Sequence, residues 1–562
     1  MTTACIQDPA FSHLELPLIS KPYNTIIDMK KNILYTIFLA GCTAFCFTGC
    51  KKLDLVPTND ITADSVYRTP AGYKQALAKV YGSFALTGNS STGAPDISRE
   101  IINDEGNSDF LRLYWNLQEL TTDEAAWSWQ NDAGIRGLKE LSWSANNPIV
   151  SGLYYRSFYQ ITVANDFIRQ SDEGAVSGRN ISGADAENIK KYRAEARFLR
   201  AFQYWVLMDT YANPPFVDEN SPIATGLPPQ ISRADLFEYI ETELKAIETE
   251  LAQPKTNEYG RADQAAAWAL MARLYLNAKV YTGADRFTDA ITYSKKIIAA
   301  GYSLHPDYRN LTIADNHLNV DENIFTIAYD ARHTQNWGGT TYLAHGPAAV
   351  PGTVSGTSGN WGGLRHTHQF VDLFSDPSGN TDKRAQFYTT GQKKEMTQLY
   401  MSTDGYSSHK YRNKTRTGGP APHADPGGNW TDIDFPLFRL GEIYLVYAEA
   451  VLRGGTGGDA ATALNYINAL RTRAYGGNTS GNITSGQLTL DFILAERGRE
   501  LYYEAHRRTD LIRYDRFVTA NYLWAWKGGI AAGRAVDDKY KIFPLPVTDL
   551  SSNPNLKQNP GY

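Results

Sequence analysis

PLFRLGEIYLVYAEAVLR (residues 436–453), GGTGG (454–458) and DAATALNYINALRTRA (459–474) together predict a helical hairpin. In the first segment Leu440, Ile443, Tyr447 and Val451 recur at helical spacing and form one apolar face. The glycine cluster ends this helix, and Asp459 stands where the N-cap of the second helix belongs. One such pair cannot bury both of its apolar faces, so the stretch predicts neighbouring helix pairs of the same kind.

A second hairpin is predicted upstream, with one helix over residues 261–281 and another over residues 285–300. Alanine alternates there with Tyr, Trp or Leu, a pattern typical of tetratricopeptide repeats. The repeat period is not kept along the chain, so an ordinary helical core with alanine at the contacts remains the alternative. Both interpretations give a mostly α-helical fold.

The rest of the chain is predicted to consist of further helices and two irregular regions. Helices are expected over residues 70–84 (with Thr69 as N-cap), 149–170, 185–211, 233–251 and 490–504. Residues 101–143 read as irregular, and residues 541–562 as an extended tail. The segment 301–436 is rich in Gly, Thr, Asn, His and Trp and is too long for a passive loop. We therefore expect it to be an inserted binding or active region with some strands.

Composition narrows the range of functions. The chain has 562 residues, 42% of them hydrophobic and 20% charged, as expected for a folded protein with a sizeable core. Its net charge of -5 argues against a nucleic-acid partner that needs a broad basic face. The chain has 35 tyrosines and 11 tryptophans. Most aromatic rings fill cores, but those in loop-rich segments also suit stacking on flat ligands.

The start of the chain resembles a targeting signal. Met29 and two lysines precede an apolar run over residues 33–47, and Thr-Gly-Cys follows, ending at Cys50. This order resembles a bacterial lipoprotein signal, in which the cysteine is acylated and becomes the new N-terminus. The run falls short of the roughly 20 residues that a membrane span prefers. We expect residues 1–49 to be an upstream extension plus signal peptide, with translation starting at Met29, and residues 50–562 to be the lipid-anchored protein.

Several long segments resemble the SusD/RagB family, surface lipoproteins that capture nutrients. They are AEARFLRAFQYW (residues 194–205), the hairpin quoted above, ILAERGRELYYEAHRRTDLIRY (493–514) and IFPLPVTDLSSNPNLKQNPGY (542–562). The resemblance implies a single domain over residues 50–562, mostly α, with a tetratricopeptide-like helix-pair scaffold and long loop-rich insertions. It also implies a location on the outer membrane, facing the exterior, and a SusC-like TonB-dependent transporter as partner.

Within the family the resemblance is strongest to its starch-binding members, and it implies a glycan site formed by loops around residues 100–145 and 301–436. Arg112 lies upstream of a Trp-x-Trp pair, an amide position follows, and a second aromatic pair comes from the later loop. The ligand-binding residues implied are Arg112, Trp127, Trp129, Asn131, Asp132, Trp337 and Trp361.

The chemistry of these residues suits a helical α-glucan. Indole rings stack on the apolar faces that sugar C–H groups present, and each contact excludes water. An arginine and a carboxamide or carboxylate would bind the hydroxyl groups. Burial in the core is the alternative for every tryptophan. We favour burial for Trp115 and Trp143 and ligand contact for Trp129 and Trp361. For Trp127 and Trp337 the two alternatives are balanced. Trp430 has no assigned role.

Other functions are weaker interpretations. A different glycan remains the main alternative ligand. Glu496 and Glu500 lie one helical turn apart but stand among Arg497, Arg499 and Arg507, which favours structural ion pairs over a glycosidase acid and base. His366 and His368 have no clear third ligand, so no metal site is expected there. The acid-rich residues 103–109 lack the order of a calcium loop, and a solvated loop is the default, with structural Ca²⁺ as the alternative. No cofactor is expected.

Overall fold

The computed structural model describes residues 63–88, 95–223 and 225–562. The predictions for the leader, for translation from Met29 and for lipidation at Cys50 lie outside these residues. Val66–Tyr562 form one compact unit with a continuous apolar core. Helices dominate this unit, as the sequence predicts.

Nine helices longer than ten residues form the scaffold of the part that the structure describes. They are α1 (Pro70–Gly82), α2 (Pro148–Gln170), α3 (Ala184–Tyr211), α4 (Arg233–Ile247), α5 (Gln264–Leu276), α6 (Phe287–Ala299), α7 (Leu440–Leu452), α8 (Ala460–Ala474) and α9 (Leu490–Leu501). Shorter helices cover Ala63–Val66, Phe110–Trp115, Ile135–Glu140, Glu173–Gly178, Ala278–Thr282, Gly339–His345, Gly352–Ser355, His368–Val371, Arg507–Arg513 and Val547–Ser552.

The strands are short and pair in twos. They are β1 (Ala126–Trp127), β2 (Asn323–Ile327), β3 (Leu364–Arg365), β4 (Phe387–Tyr388), β5 (Ser407–Ser408) and β6 (Phe435–Arg439). All three pairs, β1 with β3, β2 with β6 and β4 with β5, are antiparallel. Strands β2 to β5 lie in the predicted insertion at 301–436, where the described residues form two-stranded pairs and no larger sheet.

Both predicted hairpins are present, and they stack on each other. The Asp459 carboxylate accepts a hydrogen bond from the Thr462 backbone N–H at 2.8 Å and caps α8. Tyr444 of α7 and Tyr466 of α8 stack with ring centroids 4.3 Å apart. Helix α6 of the upstream hairpin packs against both α5 and α7. Each pair thus covers the apolar face that the other leaves open, as a repeat architecture requires.

Three local predictions were wrong. The tail over residues 541–562 is not extended throughout, because it contains the helix Val547–Ser552. Residues 436–439 belong to strand β6, and the helix begins only at Leu440. Every residue of β6 is buried. Its apolar residues therefore do not alternate with polar ones, and the sequence pattern cannot distinguish a strand from a helix here. Likewise, the region 101–143 contains the helix Phe110–Trp115, whose apolar residues are buried on all sides and give no amphipathic pattern.

Candidate functional site

The two loop regions expected to form a site meet at the pair β1–β3. Trp127 lies opposite Leu364 in this ladder, and the Ser128 backbone N–H donates to the Gly363 carbonyl at 3.0 Å. Gly363 is needed here because a Cβ at that position would lie 2.4 Å from the Trp127 ring. The first loop region thus presents its Trp-x-Trp pair directly against the second.

The structure brings four of the predicted tryptophans into one continuous row of rings, which we call the aromatic row. Successive ring centroids are separated by 5.6, 5.3, 6.4, 6.0 and 4.3 Å. In order, the members are Trp129, Trp127, Tyr342, Trp361, Trp337 and Trp430. Such spacing is that of ordinary aromatic contact, so each ring supports its neighbours.

The members of the row differ in exposure. Trp129 is 49% exposed, and Trp361 and Trp337 are half-buried. Trp127 is only 2% exposed, Tyr342 1% and Trp430 9%. Three rings therefore present surface to a ligand, and each of them packs against a buried ring of the row. For Trp127 the burial alternative describes the structure, and its indole N–H donates to the Asp132 carboxylate at 3.2 Å.

Arg112 lies beneath the row. Its guanidinium carbon is 4.7 Å from the centroid of the Tyr342 ring, and Nη1 donates to the Trp337 carbonyl at 3.2 Å. Its Nε is buried without a protein partner. Arg112 thus links the first loop region to the loop that carries Trp337.

The acid-rich residues 103–109 hold that same loop. The Glu105 carboxylate accepts from the Trp337 backbone N–H at 3.2 Å, and the Asp109 carboxylate accepts from Gly339 at 2.7 Å. Burial raises the pKa of both carboxyl groups. A side chain at Gly338 would place a Cβ 2.1 Å from that of Asp109, so only glycine fits there. These acids position an aromatic loop, and their hydrogen bonds leave the calcium alternative without support.

Asn131 and Asp132 are both exposed beside Trp129. Asp132 holds Trp127 through one carboxylate oxygen, as described above. Because both residues are exposed, sugar hydroxyl groups can reach their side chains.

Sequence reasoning missed three residues that complete the site. Tyr342 and Trp430 join the row, and the His345 ring stacks on Trp361 at 5.0 Å with an interplanar angle of 14°. The His345 ring nitrogens lie 2.8 and 3.1 Å from the carbonyl oxygens of Gly359 and Asn429. The Trp and His content of the insertion was the one signal for His345 and Trp430, and Tyr342 had none, since the contacts of all three join segments far apart in sequence.

The carboxylates weighed as an acid and a base are structural, as the sequence favoured. Glu496 and Glu500 are fully buried. Glu500 pairs with Arg439 at 2.7 Å and Arg473 at 2.5 Å, and Glu496 pairs with Arg384 at 2.8 Å. The expected partners were partly wrong, because Arg497 pairs with Asp510 and Arg507 with Asp123. Of the three arginines expected from the sequence, only Arg499 reaches Glu496, at 2.7 Å. Burial alone would raise the pKa of Glu500, but the surrounding guanidinium groups lower it to about 2.

His366 is a core residue. It stacks on Tyr503 at 4.7 Å, and its Nδ1 lies 2.6 Å from the Glu124 carbonyl. Burial lowers the pKa of His366 to about 3, so the ring is neutral. His368 is half-buried at the start of the short helix His368–Val371. The pair therefore offers no shared metal site.

Within the described part of the chain, the helices are all too short or too polar to cross a membrane.

Comparison with known proteins places the chain among glycan-binding relatives. Residues 321–562 match the SusD family. The starch-binding protein SusD of Bacteroides thetaiotaomicron is 34% identical, over 95% of this chain and 100% of that protein. SusD-like protein P2 of Formosa agariphila is 24% identical, over 92% and 97%. The surface glycan-binding protein A from Bacteroides thetaiotaomicron, solved with laminarihexaose, superposes with a TM-score of 0.65 at 20% identity, over 87% and 99%. At that identity the last match shows the shared fold alone.

Proposed function

The chain belongs to the SusD family, and from that membership we propose that it captures starch or α-glucan oligosaccharides at the aromatic row. The observation that carries the proposal is the row itself, in which three solvent-reaching indoles are joined through buried rings, in a chain 34% identical to a starch-binding protein. Separate tryptophans scattered over the surface would not support it.

Stacking supplies the binding energy. A helical α-glucan presents a continuous apolar face, and burying it against indole surface contributes about 25 cal/mol per Å² removed from water. Aromatic rings whose neighbours hold them lose little conformational freedom on binding. Trp129, Trp361 and Trp337 provide these faces. Asn131 and Asp132, beside Trp129, and Arg112, which contacts Tyr342 and Trp337, supply polar groups.

Members of the SusD family bind glycans without catalysing a reaction. The buried, fully paired state of Glu496 and Glu500 agrees with this, because a glycosidase needs two carboxyl groups across an open cleft. The protein is therefore assigned to ligand capture, and any hydrolysis belongs to another protein.

Delivery completes the proposal. The family resemblance implies that acylation at Cys50 holds the protein on the outer membrane and that a SusC-like TonB-dependent transporter receives the glycan. A lipid chain anchors a protein without a spanning helix. Co-purification of a barrel transporter with the acylated protein would support the proposed transporter partner. Recovery of the protein alone from native membranes would contradict it.

The direct test is a binding panel of amylose, cyclodextrin, laminarin, inulin, xylan and mannan. We expect retention on amylose and cyclodextrin without release of sugar, and loss of at least about tenfold in affinity for Trp129→Ala and Trp361→Ala. Tyr400→Ala is the matched control, because this ring is 64% exposed and lies outside the row.

The other outcomes discriminate between the alternatives. Binding to laminarin, inulin, xylan or mannan alone would keep the family and replace the ligand. Released sugar would favour an enzyme. Unchanged amylose binding in both tryptophan variants would contradict the proposed site.

A further inference from the structure

Two histidines and two aspartates meet at one end of the aromatic row. Asp330 and His333 lie in the turn that leads to Trp337, and His423 and Asp432 flank the segment that carries Trp430. We call these four residues the imidazole–carboxylate cluster. They come from two separate stretches of the insertion, so folding alone brings them together.

The ligand atoms of the cluster are close. The Nδ1 atom of His423 lies 3.4 Å from Oδ2 of Asp330 and 3.8 Å from Oδ1 of Asp432. The Nδ1 atom of His333 lies 3.1 Å from the same Oδ2 of Asp330. A four-coordinate ion with ligand bonds near 2.0 Å requires its ligand atoms to be roughly 3.3 Å apart. These three separations bracket that value, and one ligand atom each of Asp330, His423 and Asp432 lie within 4.8 Å of one another. His333 approaches Asp330 and completes the set of four when its exposed side chain rotates toward the ion.

Backbone hydrogen bonds fix the two carboxylates. The Asp432 carboxylate accepts from Ala331 at 2.8 Å and from His423 at 2.5 Å. The Asp330 carboxylate accepts from Arg332 at 2.8 Å. Such outer contacts orient ligating groups in metal sites and fix the direction of their free lone pairs. The histidines are the movable partners, because the side chains of His333 and His423 are 79% and 52% exposed.

The ligand set selects the kind of ion. Two imidazoles with two carboxylates suit Zn²⁺ and similar divalent transition metals, whereas Ca²⁺ and Mg²⁺ prefer oxygen ligands throughout.

We propose that the imidazole–carboxylate cluster of Asp330, His333, His423 and Asp432 binds one Zn²⁺-type divalent ion. The ion joins the turn before Trp337 to the segment that carries Trp430, whose ring centroid lies 4.3 Å from that of Trp337. Metal binding therefore holds together the two loops that form one end of the aromatic row. The site is independent of which glycan the row takes.

Isothermal titration of ZnCl₂ into the full chain tests the site, with no histidine tag and with the four cysteines alkylated, since Cys5, Cys42, Cys46 and Cys50 would otherwise compete for zinc. We expect one Zn²⁺ per chain and no binding of CaCl₂. His423→Ala and His333→Ala should each weaken Zn²⁺ binding by at least about tenfold. Both side chains are exposed, so neither variant endangers the fold. His317→Ala removes an imidazole outside the cluster and should bind zinc as the wild type does.

A second measurement reports on the loops. Zn²⁺ should slow proteolysis within residues 330–337 and 421–432 in the wild type and in His317→Ala, but not in His423→Ala. Zinc binding that is equal in all variants, or absent from the wild type, would overturn the proposal. Preference for Ca²⁺ over Zn²⁺ would overturn it too.

Discussion

At the scale of single residues, Arg112 shows how one side chain serves the site twice. Its guanidinium lies over the Tyr342 ring at 4.7 Å and donates to the Trp337 carbonyl at 3.2 Å. The planar group stacks and donates at once, which a lysine ammonium cannot do. Arg112 therefore holds a buried ring and an exposed ring of the row in one arrangement.

Arg112→Lys should keep the charge and still weaken amylose or cyclodextrin binding by about tenfold, since a charge-assisted hydrogen bond contributes roughly 1.5–3 kcal/mol. Titration calorimetry with cyclodextrin measures the change. Arg136→Lys is the control, because Arg136 lies in the same loop region with its side chain 67% exposed. Equal affinity of Arg112→Lys and the wild type would show that Arg112 has no part in positioning the row.

At the scale of elements, the sequence correctly predicted the long helices of the scaffold. Helices α2 and α3 begin within one residue of their expected starts. Helix α2 has one apolar face, whereas α3 is buried on all sides from Phe198 to Tyr211 and was recognised by its length and by the Asn-Pro-Pro that follows it. The helix Phe110–Trp115 and the strand β6 were misjudged since burial on all sides removes the period. In the site, the resemblance to starch-binding family members implied the Trp-x-Trp pair. Tyr342, His345 and Trp430 were missed because only long-range contacts assemble them.

The pair β1–β3 is the element that joins the two loop regions, and Gly363 tests it. In Gly363→Ala the new methyl group must displace the Trp127 ring, which a Cβ would approach to 2.4 Å. We expect a loss of about 1–3 kcal/mol in the free energy of unfolding by urea, together with weaker amylose binding. Gly359→Ala is the matched control, since a Cβ there meets no atom within 4 Å. If both variants matched the wild type, the close approach of β3 to Trp127 would be refuted.

At the scale of the whole molecule, buried carboxyl groups divide into two classes with opposite effects on stability. Burial would raise the pKa of Glu449 and Glu500, but guanidinium groups outweigh it and lower each pKa to about 2. These pairs stabilise the fold above the pKa of the unfolded chain and lose that contribution as the pH falls. By contrast, burial raises the pKa of Asp263 to about 6 and that of Asp434 to about 7.

Asp434 allows the second class to be tested alone. Its carboxylate accepts from the Tyr259 hydroxyl at 2.6 Å and from the Tyr329 N–H at 2.8 Å. In the unfolded chain it ionises near its ordinary value of 3.8, but in the fold only near 7. Between these values the folded protein binds one proton more than the unfolded chain. The free energy of unfolding therefore falls with rising pH, by up to about 1.4 kcal/mol per pH unit, and becomes level above pH 7.

Asp434→Asn should remove this slope, because the amide does not titrate and its oxygen can still accept from Tyr329. Urea unfolding at pH 5, 6, 7 and 8 measures it, with the wild type losing stability relative to the variant as the pH rises from 5 to 7. Asp538→Asn, at a side chain 80% exposed, should leave the wild-type slope unchanged. Parallel curves for the wild type and Asp434→Asn would mean that Asp434 is already ionised in the fold at pH 5. The burial of this carboxyl between β2 and β6 would then not control its proton, and the loss of stability toward neutral pH would have to come from other groups.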